Sequence, residues 1–210
     1  MDPEVKLKVG GIELIGSLSI PENPIGLVIF AHGSGSSRMS PRNVFVAEEL
    51  NKAGIATLLF DLLTEEEDQD RQNRFDIELL TDRLVGVTKW CHENPKTEGM
   101  KIGYFGASTG AAAALSAAAY WGTRITAVVS RGGRPDLTGE ELDLVEAATL
   151  LIVGGEDKEV IDLNRQAYSH MGCEKKVEIV PGATHVFEEE GALEKVAELA
   201  VNWFKVHFEA

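Results

Sequence analysis

The chain has 210 residues, of which 44% are hydrophobic and 26% are charged, and its formal net charge is −14 at pH 7. This length and composition predict one globular domain over residues 1–210, with a core large enough to need no disulfide or metal. The 20 Lys and Arg residues stand against 34 Asp and Glu residues, which argues against a nucleic-acid-binding surface and disfavours contact with an anionic membrane.

The two cysteines, Cys91 and Cys173, lie in neither a CxxC nor a Cys/His motif. Because there are only two cysteines and neither lies in such a motif, we expect neither a disulfide framework nor a structural zinc site. This use of cysteine is typical of the reducing cytoplasm, which is the expected compartment. The segment 1–4 is acidic and lacks the basic and apolar regions of a signal peptide. The uncharged segment 103–121 is rich in Ala and Gly, which favours a buried helix over a membrane span.

Strand and helix patterns alternate along the chain. Strands are predicted at Glu4–Val9, Ile12–Ile20, Leu27–Ala31, Ile55–Phe60, Met100–Phe105, Ile125–Ser130, Thr149–Val153 and Lys176–Val180. Helices are predicted at Pro41–Ala53, Asp76–Glu93, Thr109–Tyr120, Lys158–Met171 and Ala192–Phe208. The acidic run Glu65–Asp70 is predicted to be a solvated loop. The alternation predicts an α/β fold, with a mostly parallel, doubly wound sheet and an antiparallel N-terminal hairpin at one edge.

The sharpest chemical signal is the sequence Gly106-Ala107-Ser108-Thr109-Gly110, which follows a predicted strand and begins a predicted helix. In this setting G-x-S-x-G is a nucleophile elbow, a strained turn that lifts the serine hydroxyl clear of the sheet and needs small neighbours two positions away. The N–H groups at the start of the helix favour a developing anion. Ser108 is therefore the predicted nucleophile, and the alternative is a glycine-rich turn that carries a serine without a catalytic role.

A serine nucleophile needs a histidine base and an acid that orients the base. Among the five histidines, His185 follows the last predicted strand, so it lies at the carboxyl edge of the sheet where Ser108 also lies. Asp157 follows the preceding strand at the same edge. These residues are the predicted base and acid. Glu156 is the alternative acid, and a helix N-cap is the alternative role of Asp157.

An oxyanion hole needs two backbone N–H groups. Thr109, directly after the nucleophile, is predicted to supply one of them. The glycine-rich loop 32–37 leaves the neighbouring strand at the same edge, and Ser34 is predicted to supply the other, with Gly33 and Gly35 as alternatives. The loop lacks both a Walker lysine and the G-x-G-x-x-G pattern, so a nucleotide site is not expected there.

Candidates for substrate binding follow the strands at this edge or lie in nearby loops. They are His32, Arg38, Arg42, Arg131 and Arg134. In a chain of net charge −14, the arginines could receive an anionic substrate. The alternative, which is favoured, is that the arginines pair with local acids such as Asp136 and Glu140. For His32, a structural role that hydrogen-bonds the loop is favoured over a role as a second base.

With these motifs, the chain resembles the α/β-hydrolase superfamily and, within it, the dienelactone-hydrolase-like proteins. The residues that carry the resemblance are His32–Ser36, Asp61, Gly106–Gly110, Gly154–Asp157 and Pro181–His185. The segment Ser130–Asp136 is similar to a bacterial subset that is often fused to phosphoribosyltransferase domains. The resemblance implies a serine hydrolase with the triad Ser108, Asp157 and His185. Dienelactone hydrolases proper use a cysteine nucleophile, so their substrate is not carried over.

The sequence therefore predicts a cytoplasmic serine esterase that cleaves small carboxylic esters or thioesters through an acyl-enzyme on Ser108. The expected protein is a monomer or a weak homodimer that needs no metal or organic cofactor and binds neither nucleic acid nor membrane. The interval 131–148 is too short for a lid domain, which favours a shallow, open site. Two alternatives stay open: a catalytically silent domain of the same fold that binds or regulates a partner, and an acyltransferase that uses the same acyl-enzyme.

Overall fold

The computed structural model of the protein describes residues 3–210. The strands of this range are β1 (Glu4–Val9), β2 (Ile12–Ser19), β3 (Leu27–Ala31), β4 (Ala56–Phe60), β5 (Ile102–Ala107), β6 (Ile125–Arg131), β7 (Ala148–Gly154) and β8 (Lys175–Val180). Its α-helices are α1 (Pro41–Lys52), α2 (Glu65–Asp68), α3 (Ile77–Glu93), α4 (Thr109–Trp121), α5 (Lys158–His170) and α6 (Ala192–Glu209). Short 3-10 helices lie at Asn73–Phe75, Gly122–Arg124 and Pro135–Leu144. The expectation that residues 1–4 are not part of a signal peptide rests partly on Met1 and Asp2, which lie outside the described residues.

The strands form one sheet in the order β1-β2-β4-β3-β5-β6-β7-β8. β1 pairs antiparallel with β2, and β2 pairs antiparallel with β4, whereas the pairs from β4 to β8 are parallel. The predicted α/β sheet with an antiparallel hairpin at one edge is thus confirmed. Because β4 and β5 lie on opposite sides of β3, the strand order reverses there, and such a reversal opens a crevice at the carboxyl ends of the strands.

Helices cover both faces of the sheet. On one face α3 and α4 bury Leu84 and Leu115, and on the other face α1 and α6 bury Leu50 and Phe204. The segment 103–121, checked above as a membrane span, comprises most of β5, the buried residues of α4 and the turn between them. Within residues 3–210, no helix combines the length and the hydrophobicity that crossing a bilayer requires.

The acidic run Glu65–Asp70 is not a simple solvated loop, so that prediction is wrong. Residues 65–68 form α2, in which the Thr64 hydroxyl accepts from the Glu67 N–H and the Glu67 carboxylate accepts from the Thr64 N–H, a capping box. The Glu67 carboxylate also lies 2.6 Å from the Arg83 guanidinium of α3, which lowers the pKa of Glu67. A rule based on local charge misses this helix, although the Thr64-x-x-Glu67 pattern of a capping box is present in the sequence.

The connection between β6 and β7 is short. Its 3-10 helix, Pro135–Leu144, is interrupted at Gly139, whose φ is 68°. It packs against α4 and α5 and forms no lid domain, in agreement with the prediction. The crevice at the carboxyl edge of the sheet therefore stays open to solvent.

Candidate active site

Ser108 lies between the end of β5 and the start of α4. Its backbone has φ 53° and ψ −120°, a conformation that costs a residue other than glycine about 1–3 kcal/mol. The Ser108 N–H donates to the Arg131 carbonyl (3.2 Å), and the Ser108 carbonyl accepts from the Ala111 N–H (3.1 Å). Within residues 3–210, the Ser108 hydroxyl has no hydrogen-bond partner, so it stands free in a strained turn of the kind that the motif predicts.

The two glycines of the motif make this turn possible. A Cβ on Gly106 would lie 2.5 Å from the Ala111 Cα. A Cβ on Gly110 would collide with the carbonyl oxygens of Ala31 and His32, the second at 2.5 Å. Because Gly106 and Gly110 have no side chains, α4 begins directly against the end of β3. The loop after β3 therefore lies beside Ser108.

The predicted acid and base are in direct contact. The Nδ1 atom of His185 lies 2.7 Å from the Oδ2 atom of Asp157. Asp157 occupies the N-cap position of α5, but its side chain makes no capping hydrogen bond. The structure brings His185 together with Asp157 and leaves Glu156, whose side chain is exposed, outside this contact.

The contact with Asp157 also sets the tautomer of His185. Because a carboxylate only accepts, the neutral imidazole carries its proton on Nδ1 and leaves a lone pair on Nε2. Ser108 and His185 line one cleft of about 480 Å³. The predicted nucleophile and the predicted base, which contacts the predicted acid, therefore line the same open cleft.

The two predicted oxyanion donors are placed differently. The Thr109 N–H lies in the first turn of α4 and has no acceptor within residues 3–210. The Ser34 N–H, in contrast, donates to the Thr109 hydroxyl oxygen (3.0 Å), and the hydroxyl of Ser34 lies 2.8 Å from the same oxygen. A substrate oxyanion reaches the Ser34 N–H only by displacing that hydroxyl. Gly33 also adjoins Ser108, since a Cβ on Gly33 would lie 3.4 Å from the Ser108 Cβ.

His32 is 9% exposed and uses both ring nitrogens within the protein. Its Nδ1–H donates to the Gly33 carbonyl (2.8 Å), and its Nε2 accepts from the Leu62 N–H (3.1 Å). Burial lowers the pKa of His32, which keeps the ring neutral as these hydrogen bonds require. His32 therefore holds the loop 32–37 against the segment after β4, and it does not line the cleft.

The lowered pKa of His32 predicts a loss of stability in acid. The unfolded chain binds this proton near pH 6.5, before the folded chain does, so the free energy of unfolding falls as the pH drops below 6.5. Between the unfolded and the folded pKa, this one group contributes a slope of about 1.4 kcal/mol per pH unit. In urea unfolding from pH 7.5 to pH 5, His32→Gln, which keeps an acceptor for Leu62, should show a shallower decline than the wild type. Parallel declines would contradict this role of His32.

Two of the four arginines are paired with acids. Arg134 forms a bidentate ion pair with Asp136, with N–O distances of 2.9 and 2.8 Å. Arg38 lies 3.4 Å from Asp61 and 3.2 Å from Glu4. Arg134 lines the cleft. Arg38 is not among the residues that line it, and its two ion pairs agree with the favoured alternative that the arginines pair with local acids.

Arg42 and Arg131 are different. Both line the cleft, and within residues 3–210 neither has a carboxylate within 4.0 Å. Arg131 is 7% exposed, and its guanidinium lies 5.8 Å from the centre of the Phe187 ring and 3.5 Å from the Asn43 Oδ1 atom. Burial, with a further contribution from the charge of Arg42, lowers the pKa of Arg131 to about 10, so its side chain stays charged at neutral pH.

The sequence analysis missed the apolar wall of the cleft. It is formed by Phe75, Leu137 and Val186. Phe75 is 53% exposed and lies in a 3-10 helix of three residues, which is too short to produce a periodic pattern. The available signal was an aromatic residue directly before the predicted helix that begins at Asp76, and it did not indicate which crevice the ring faces.

Comparison with known proteins identifies the same fold and sequence pattern elsewhere. The model of the dienelactone hydrolase family matches residues 14–208. Two Mycobacterium tuberculosis proteins, from strains CDC 1551 and H37Rv and provisionally named phosphoribosyl transferases, are each 56% identical to the chain over 206 residues. The match covers 98% of this chain but 46% of each relative, so the chain spans about half the length of these relatives.

Two solved structures show how far the similarity extends. The crystal structure of a dienelactone hydrolase from Anabaena variabilis has a TM-score of 0.97 and 54% identity, and the match covers 99% of this chain and 98% of that chain. Est1E from Butyrivibrio proteoclasticus has a TM-score of 0.81 at 19% identity, with 98% of both chains covered, which shows a shared fold. The fold of the chain is thus found well beyond close relatives.

Proposed function

The chain belongs to the dienelactone hydrolase family, and on that basis we propose that it is a serine hydrolase of small carboxylic esters or thioesters, acting through an acyl-enzyme on Ser108. The family match and the 54% identical structure support a hydrolase-type function. The observation that carries the finer proposal is the 2.7 Å contact of Asp157 with His185, in the cleft that the strained Ser108 also lines.

The proposed reaction proceeds in two halves. The Ser108 Oγ atom attacks the ester carbonyl carbon while the Nε2 atom of His185 takes the hydroxyl proton, and Asp157 stabilises the imidazolium that forms. The Thr109 N–H and an N–H of the segment 33–34 stabilise the negative charge on the carbonyl oxygen. The tetrahedral intermediate then expels the alcohol or thiol, which receives the proton from His185. Water then attacks the acyl carbon while His185 takes a proton from it. The bond between the acyl carbon and the Ser108 Oγ atom breaks, His185 returns the proton to that oxygen, and the carboxylic acid leaves.

The residue types and the open cleft support this substrate class. Serine replaces the cysteine of dienelactone hydrolases proper, so an oxygen nucleophile that depends on its base is proposed here. The short segment 131–148 leaves the cleft uncovered, which suits small substrates in solution. The cleft has both the apolar wall and the arginines described above, so it is able to hold an acyl chain that carries a polar end.

The test is labelling with a fluorophosphonate, which reacts only with an activated serine. The wild type should take up one label on Ser108, as read by intact mass and peptide mapping. His185→Ala should be labelled at least about 100-fold more slowly, since general-base assistance typically contributes 10²–10⁴-fold. His170→Ala, which removes an exposed histidine of α5, is the matched control and should be labelled like the wild type.

A folded wild-type protein that takes up no label would contradict the proposed function. That outcome would favour the catalytically silent domain. Labelling of a different residue would also contradict it, because the triad described here activates only Ser108.

A further inference from the structure

Residues 131–134, here named the bracket loop, hold the backbone of Ser108 from two sides. The Arg131 carbonyl accepts from the Ser108 N–H, and the Arg134 N–H donates to the Ser108 carbonyl, each at 3.2 Å. Both backbone polar groups of Ser108 are thus bonded to one loop. Because the backbone of Ser108 is strained, it keeps its conformation only while its surroundings hold it, and the direction of its side chain depends on where this loop lies.

The bracket loop also lies against the predicted base. A Cβ on Gly132 would lie 3.5 Å from the Cε1 atom of His185 and 3.3 Å from its carbonyl oxygen. The Gly132 N–H donates to the Ile152 carbonyl of β7 at 2.8 Å, which fixes this part of the loop to the sheet. The same four residues therefore contact both the predicted nucleophile and the predicted base.

One buried side chain of α5 holds the bracket loop. Asn164 is 0% exposed, and its Nδ2 atom donates to the Gly133 carbonyl at 3.1 Å and to the Val160 carbonyl of its own helix at 2.8 Å. Among the described residues, no other side chain hydrogen-bonds to a backbone group of the bracket loop. The N-cap of α5 is Asp157, so this amide ties the loop to the helix that begins at the predicted acid.

The stability of the fold gives little reason for an amide at this position. Both neighbours are carbonyl oxygens, which only accept, so the Nδ2 atom of Asn164 must face them. Its Oδ1 atom is then buried without a hydrogen-bond partner within residues 3–210, which is unfavourable. Leucine, of similar size, would exchange this orphaned oxygen for another, the Gly133 carbonyl. The two side chains differ chiefly in whether the loop is held.

We propose that Asn164 is a positioning residue that keeps Ser108 and His185 aligned through the bracket loop. The inference rests on the proposed function and deepens it. Asn164 is not among the residues that line the cleft, so it acts on the reaction only through the loop. A displacement of about 1 Å at a reacting group can cost about 100-fold in rate. Loss of this hydrogen bond should therefore slow the reaction without weakening substrate binding.

The first measurement is the hydrolysis of para-nitrophenyl pentanoate by Asn164→Leu, at a temperature at which circular dichroism shows a folded protein. We expect kcat to fall about 10- to 100-fold, and KM to stay within about twofold of the wild type. A fall in kcat at constant KM marks an interaction that matters only in the transition state. Labelling by the fluorophosphonate should slow by a similar factor, because Ser108 and His185 serve both reactions.

The same substitution elsewhere in the chain is the matched control. The Asn51 Nδ2 atom donates to the Ile55 carbonyl and to the Thr57 hydroxyl, both at 3.0 Å, at the start of β4 and so at the sheet edge opposite to the cleft. Asn51→Leu also removes an amide that makes two hydrogen bonds, and it should keep kcat within about twofold of the wild type.

A second variant keeps the test decisive if Asn164→Leu does not fold. Asn164→Ala removes the same donor and adds no bulk, and it should lower kcat in the same direction.

A third measurement does not depend on activity. If the bracket loop loosens, the amide protons of Ser108 and Arg134, which are bonded across it, should exchange with solvent more rapidly. Hydrogen exchange read by mass spectrometry should show an increase of at least about tenfold for these amides in Asn164→Leu. Asn51→Leu should show the wild-type exchange rates there.

Three results overturn the positioning role in an active enzyme. One is a kcat within about twofold of the wild type in the folded Asn164 variants. The second is a rise in KM alone, which would indicate contact with the substrate. The third is an equal loss of kcat in Asn51→Leu, which would assign the effect to general destabilisation.

Failure of the proposed function is distinguishable from failure of this inference. If the wild type cleaves no ester and takes up no fluorophosphonate label, the hydrolase fails. Hydrogen exchange then decides the role of Asn164 in holding the elbow. Faster exchange at Ser108 and Arg134 in Asn164→Leu supports it, and unchanged exchange overturns it.

Discussion

Ser108→Ala is expected to fold normally and to lose about 10⁴-fold or more of the kcat for ester hydrolysis. The expected loss is large because the proposed mechanism forms the acyl-enzyme on Ser108, and alanine has no hydroxyl for that covalent step. The Ser108 hydroxyl makes no hydrogen bond within residues 3–210, so its removal leaves no buried group unsatisfied. Alanine keeps the φ of 53° at the same backbone strain, so the free energy of unfolding should change by less than about 1 kcal/mol.

The measurement is steady-state hydrolysis of para-nitrophenyl pentanoate, with circular dichroism and urea unfolding on the same samples. Ser169→Ala removes an exposed hydroxyl at the end of α5 and serves as the control with wild-type activity. Residual activity of Ser108→Ala above about one hundredth of the wild type would contradict the assignment. The other hydroxyl-bearing residues that line this cleft would then be examined as nucleophiles, namely Ser34, Ser36, Ser40 and Thr109.

Gly110→Ala is expected to lower the free energy of unfolding by about 3 kcal/mol or more. Its Cβ would meet the carbonyl oxygens of Ala31 and His32, which are backbone atoms at the end of the central strand β3 and cannot rotate away. Either α4 or β3 must therefore move. In an exposed helix the same substitution stabilises by about 1 kcal/mol, so a large change of opposite sign is specific to this close approach.

The same displacement should also lower activity, since Gly110 lies two residues from Ser108 and its neighbour His32 begins the loop that adjoins the nucleophile. Urea unfolding measures the change in stability. Gly172→Ala is the matched control, because Gly172 is exposed, has no atom within 4 Å of an added Cβ and does not have a positive φ. If Gly110→Ala were as stable as Gly172→Ala, the close approach of α4 to β3 would not exclude a side chain at position 110, and the prediction would be wrong.

The fold followed from local signals. Apolar runs predicted strands such as β3 and β7 because a strand covered on both faces buries every residue, and both strands are buried throughout. The elbow was recognisable because its strained turn imposes small residues at fixed positions around Ser108. The chain order of Ser108, Asp157 and His185 placed all three at one sheet edge, since parallel strands present their carboxyl ends together.

The ion-pair and hydrogen-bond partners of the residues around the cleft did not follow from local signals. Arg38, Arg131 and Arg134 all come after strands at the same edge. Arg38 and Arg134 pair with acids, whereas Arg131 is buried in the cleft that Ser108 lines and has no carboxylate within 4.0 Å among residues 3–210. The Ser34 N–H was expected to be free, but the Thr109 hydroxyl accepts it across the cleft. Each outcome depends on which loops meet in space, and a sequence pattern does not contain those distances.

The sequence by itself therefore determined the sheet, the elbow and the candidates for the triad, because periodicity, turn chemistry and strand order act over a few residues or along the chain order. Only the tertiary structure decided which acid orients His185, which loop N–H is already occupied, and which arginines remain without a carboxylate. Those properties arise where segments far apart in the chain come into contact. There, burial and the nearest opposite charge decide what each side chain is able to do.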